Sequence, residues 1–127
     1  MMATGNAMAQ AVDEGKIDIG YSQCMEEQFT SSGMRNCAVK PRQEWDAELN
    51  RYYKLLLSGL SAEGQTVLRE AQREWVKPRD KQFAFMVAFY TQEKEGTMWH
   101  PVAESKMMEV VKRRSLALKA FYNTLEQ

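Results

Sequence analysis

Apolar residues recur at intervals of three and four along most of the chain, the spacing of one face of an α-helix. Trp45, Leu49, Tyr52, Leu56 and Leu60 form the clearest stripe. A short polar turn around Gly59 and Ser61 follows, and then a second stripe through Leu68, Ala71 and Trp75. Two amphipathic helices with so short a connection favour an antiparallel hairpin whose apolar faces close on each other. The rest of the chain is expected to pack around that seam. A last helix is predicted to run to about Leu125, with Ala103, Met107, Val110, Leu118, Phe121 and Leu125 as its stripe and Arg114 inside it. The pattern predicts an all-α fold: a helical hairpin, a C-terminal helix against it, and an N-terminal segment.

Between these stripes stand residues that start and stop helices. Ser61 is placed to cap the second helix, with Glu63 favourable in its first turn. Pro78 lies inside that helix, but the period continues through Phe83, Met86, Val87 and Tyr90, so a kink is expected there and not a break. The block F-A-F-M-V-A-F-Y at 83–90 is apolar on every side. Directly downstream of a helical pattern, it predicts a helix buried on most faces. The other reading is an exposed patch for a partner or a second copy. Pro41 predicts a kink or a fresh helix start. A short helix over 22–29 with Ser22 as cap, a break at 30–33 and a new start capped by Ser32 would bring Met34, Cys37 and Ala38 onto one face. The segment 93–101 is the most loop-like internal stretch, with Gly96 ending one helix and Pro101 opening the next.

Residues 1–20 are small, polar and without helical period. They are expected to be a flexible segment, or a signal or expression remnant, ahead of a single domain at 21–127. Ala7, Met8 and Ala9 have the form of a signal-peptidase site, although no apolar region precedes them. A chain of 127 residues is most simply one domain. Lys plus Arg equals Asp plus Glu at 17 each, so no overall charge steers it to nucleic acid or to an anionic membrane. No basic tract is interleaved with aromatics, which removes support for binding single-stranded nucleic acid. The longest apolar run has eight residues, against about twenty for a transmembrane helix.

Little in the sequence suggests catalysis. His100 is the one histidine, and no phosphate-binding, nucleophile-elbow or zinc-protease motif occurs. Cys37 and His100 would make a nucleophile–base pair only if Cys37 were free. No further His- or Cys-rich segment accompanies Cys24 and Cys37, so neither a zinc site nor a cofactor is expected. The two cysteines would be free thiols in a cytosolic protein and a short-loop disulfide in an exported one. Asp46, Asn50, Gln72, Arg79, Asp80 and Arg114 lie beside apolar positions. Charges there are tolerable when paired, so they are expected to form a polar network pinning the helices, with Arg114 meeting Asp46 or Asp80. The alternative is that some face a groove and bind a ligand. Met98, Trp99 and His100, in the predicted loop, are the candidate partner-binding residues, since aromatics anchor interfaces. Against that, Trp99 would simply cap the open end of the core.

Two motifs carry a family resemblance. Asp46, Leu49, Asn50 and Tyr53 spell D-x-x-L-N-x-x-Y, and Ala71, Gln72, Trp75, Arg79 and Asp80 spell A-Q-x-x-W-x-x-x-R-D. Behind an upstream cysteine pair, they resemble the LprI-type lysozyme-inhibitor family over roughly residues 24–114. Members are exported and carry this pair, which implies a Cys24–Cys37 disulfide contributing about 3 kcal/mol. Members commonly add a second pair, at positions where this chain has Phe83 and Lys106. The resemblance implies a periplasmic or secreted binding protein without chemistry of its own. It would obstruct the cleft of lysozyme or another cell-wall hydrolase. Rival readings on the same scaffold are an immunity protein against a secreted toxin and an envelope structural or small-ligand module lined by the 83–90 block. The oligomeric state is left open.

Overall fold

The computed structural model describes residues 14–127. The expectations for residues 1–13, the signal-peptidase match among them, lie outside that range. Helix α1 spans Glu14–Glu27, α2 Ser31–Gly59 and α3 Ala62–Ala88. A π-helical turn, Phe89–Glu93, and a 3-10 turn, Thr97–Trp99, lead into α4, His100–Glu126. The fold is all-α, and among the described residues there is no strand.

Local chemistry sets most of the boundaries. Thr30 caps α2 by accepting a hydrogen bond from the Gly33 amide, two residues before the expected cap Ser32. Ser61 caps α3 by accepting from the Gly64 amide, as the sequence predicts. Gly96 has φ 91°, a left-handed conformation that favours glycine, and it turns the chain into α4. Pro101 sits in the first turn of α4, where its missing amide is not needed. Both internal prolines lie within continuous helices. Across Pro41 the buried positions Cys37, Ala38, Pro41, Trp45 and Leu49 keep the helical phase. Packing on that face therefore overrides a local penalty of about 3 kcal/mol.

The main apolar seam is not inside the hairpin. It joins α2 to α4, which run parallel. Arg42 meets Glu104 near one end, and the Tyr52 and Tyr122 rings stand 6.2 Å apart towards the other. Trp45, Leu49, Tyr52 and Leu56 of α2 close on Met108, Val111, Leu118 and Tyr122 of α4. Helix α3 packs over this body with Leu68, Trp75 and Phe83 only partly buried, and no residue of it is fully buried. The expectation that the 83–90 block is a mostly buried helix is corrected: it is helical, but Phe85 is 66% exposed. The α4 stripe is also corrected. Met108, Val111 and Tyr122 are buried, whereas Phe121 and Leu125 are exposed. Helix α4 faces α1, α2 and α3 at once, and the sequence stripe followed the arc turned towards α3.

Helix α1 begins well before Ser22, so the reading of 14–20 as loose and of Ser22 as a cap is corrected too. Ile17 is 2% exposed in the core. Lys112 pairs with Asp18 and Lys119 with Glu14, each at 2.8 Å. The Tyr21 hydroxyl donates to the Ser105 Oγ. Cys24 and Cys37 are bridged, with Cα atoms 5.5 Å apart. These ties run between distant positions, and a local pattern of two isoleucines among charges and glycines does not disclose them.

Candidate functional site

The motif polar residues do not form one network. Asn50 donates to Asp46 at 3.4 Å within α2, and Arg79 pairs with its neighbour Asp80 at 2.8 Å within α3. Arg114 crosses from α4 to donate its Nε to Gln72 Oε1 at 3.0 Å, and not to either aspartate. Asp46, Leu49, Asn50 and Tyr53 from α2, and Gln72 and Arg79 from α3, line one open cleft of about 380 Å³ between the helices. Leu49 is buried in the core behind it. The Trp75 ring lies under two guanidiniums, those of Arg79 at 5.2 Å and Arg114 at 5.5 Å. Ala71 is exposed.

The predicted loop residues sit at the other end of α3, where the chain turns into α4. Trp99 is stacked on Tyr90 with ring centroids 6.0 Å apart, and the Lys94 ammonium lies 4.8 Å over the Trp99 ring. Tyr90 meets Phe89 edge-on at 5.1 Å, and Phe89 stands 5.8 Å from Phe85. The result is a ladder of four aromatic rings, Phe85, Phe89, Tyr90 and Trp99, along one edge of the molecule. Met98 extends the exposed edge. His100 is half-buried and lines a separate cleft of about 600 Å³ beside Ser31, Arg35, Thr97 and Glu104. The Thr97 hydroxyl donates to Ser31 Oγ at 3.3 Å, which ties the loop to the start of α2.

Sequence reasoning singled out Met98, Trp99 and His100 as candidates, and for 83–90 it preferred a core helix over the exposed patch that was its other reading. A usable signal was present. An octet apolar on every side cannot be buried all round by the few helices this chain provides. The ion pairs of Glu104 with Arg42 and of Glu48 with Arg51 were also missed. Both acids are buried, and a hydrogen bond to Glu48 raises Arg51 above its ordinary value. Cys37 is bonded to Cys24, so no thiolate is there for His100 to activate. Among the described residues, no group of three His, Cys, Asp or Glu side chains comes together as a metal site would need. No helix among them is long and apolar enough to cross a membrane.

The family model described as lysozyme inhibitor LprI matches residues 24–118. The chain belongs to the LprI lysozyme-inhibitor family. The match spans the cysteine pair, the cleft between α2 and α3, and the whole aromatic ladder. The LprI fold seen here is similar to the crystal structure of an uncharacterised protein from Burkholderia thailandensis, with 25% identity and a TM-score of 0.75. That likeness covers 87% of this chain and 55% of the other, so the chain spans little more than half the length of that relative. No curated protein matches the chain.

Proposed function

We propose that this LprI domain is an exported, non-catalytic binding protein that blocks lysozyme or another peptidoglycan hydrolase with its aromatic edge. One observation carries the choice of surface: Phe85 and Phe89 stand exposed on a ladder of rings that continues into the half-buried Tyr90 and Trp99. Phe85 is 66% and Met98 65% exposed. Aromatics and methionine are enriched at interface cores, and buried aromatic anchors supply most of the affinity there. The Tyr90–Trp99 stack holds the edge in place before binding, which lowers the ordering cost. Lys94 adds a cation beside Trp99. Family membership supplies the target class, and the cysteine bridge accords with an oxidising compartment.

The test is a titration of the oxidised protein into cell-wall lysis assays with several lysozyme classes. Near-stoichiometric inhibition of at least one class is expected. Trp99→Ala and Phe85→Ser should each weaken it by more than about tenfold, with melting unchanged for the exposed Phe85. If no class is inhibited, the hydrolase target is wrong. If both variants inhibit normally, the aromatic edge is the wrong surface.

A further inference from the structure

Away from the aromatic edge, α3 and α4 leave an open groove of about 450 Å³ between them. Leu56, Leu60, Val67, Leu68, Leu118, Phe121 and Leu125 provide its apolar wall. That volume lies within the rough 300–1,000 Å³ range of small-molecule sites. Arg114 to Leu125 runs along it for about 16 Å at the helical rise. The Thr124 hydroxyl on the wall is already spent on the Ala120 carbonyl. The polar group left to meet a ligand is Arg114, at the inner end.

Arg114 is the odd cation of this molecule. Every other half-buried lysine or arginine among the described residues faces a carboxylate: Arg42 has Glu104, Arg51 has Glu48, Arg79 has Asp80, Lys112 has Asp18 and Lys119 has Glu14. Arg114 has the neutral amide of Gln72 on its Nε and the face of the Trp75 ring beside its guanidinium, and neither carries a charge. Its two terminal nitrogens are uncommitted, and burial alone pulls the group below its ordinary value. A half-buried guanidinium without a carboxylate partner favours an anion, and its planar fork matches a carboxylate.

We infer that the groove binds a single-chain carboxylate amphiphile of the fatty-acid type, with its head on the Arg114 guanidinium and its tail along Leu118, Phe121 and Leu125. This is a different site from the aromatic edge, and neither depends on the other.

The probes are dodecanoate and its uncharged match dodecanol, titrated calorimetrically below their aggregation limits into the full chain, with sedimentation of the same samples. Dodecanoate should bind one per chain, and Arg114→Gln should weaken it about tenfold, as expected for a lost charge-assisted hydrogen bond, while leaving dodecanol unaffected. Val67→Asp, on the exposed wall and harmless to the core, should abolish binding of both. Three results would each overturn the inference. The first is no binding of dodecanoate. The second is binding that neither variant alters. The third is a dimer that Val67→Asp dissociates, which would assign the groove to a second copy of the chain.

Discussion

Arg42 in α2 reaches Glu104 in α4 across the bundle, with the guanidinium Nε 3.2 Å from the carboxylate Oε1. The acid is buried, and Arg35 stands further off at 3.8 Å. Truncating Arg42 would leave that carboxylate with a weak, half-exposed partner. Arg42→Ala should therefore cost about 2 kcal/mol in urea denaturation, below the roughly 3–5 kcal/mol of a wholly buried pair. An unchanged midpoint would show that Arg35 suffices alone.

The cysteine bridge spans a sequence separation of 13 and ties α1 to the start of α2. Replacing both cysteines with serine should lower stability by about 3 kcal/mol through the freed unfolded chain. Circular dichroism melts of the oxidised and double-serine forms measure it directly. Equal melts would mean that Ile17 and the ion pairs of α1 already fix the segment.

Stability should fall in alkali. A hydrogen bond to Glu14 holds Lys119 above its ordinary value, and burial holds Tyr52 above its own. A raised value in the fold favours the protonated form, so both contributions are complete below about pH 10, where the unfolded groups titrate. They are lost as the pH climbs through the folded values. The denaturation midpoint should fall above about pH 10, and Glu14→Gln should make that fall shallower. A midpoint that stays level there would contradict both assignments.

Ser115 is 0% exposed, and its hydroxyl has no partner among the described residues. A buried hydroxyl without a hydrogen bond is a liability, and alanine is the better helix former. Ser115→Ala should stabilise the protein by about 1 kcal/mol, read as a higher melting temperature. A lower one would reveal a partner for the oxygen.

The helices and their punctuation were legible because they are local. Ser61 acts as cap, the helix continues through Pro78, Gly96 turns and Pro101 opens α4. Partner choice between helices was not legible. The α2 stripe from Trp45 to Leu56 marked a buried face, and the short turn after it pointed to α3 as its cover, whereas α4 takes that place. Val110 and Val111 satisfy nearly the same periodicity, and only the three-sided surroundings of α4 decide between them. At the site, Met98, Trp99 and His100 stood out as an aromatic-bearing loop. Phe85 and Phe89 entered only through the less favoured reading of 83–90 as an exposed patch, because apolar residues at helical spacing read as core unless the area available to cover them is known. Arg114 was marked as unusual, but its partner, Gln72, lies 42 positions away.

Helix α3 has 27 residues and none of them fully buried. It is attached by a short turn at one end and by the Tyr90–Trp99 stack at the other, and between them by the Arg114–Gln72 hydrogen bond and the partly buried Leu68, Trp75 and Phe83. Swinging it outward would expose less apolar surface than parting α2 from α4, so α3 is expected to act as a latch on a three-helix body. Amide protons of α3 should then exchange with solvent long before those of α2, through a partial opening that leaves the global fold standing. A partner gripping Phe85 and Phe89 would hold the latch shut, and the slowing of exchange would extend down the whole helix to Ala62, far beyond the residues it touches.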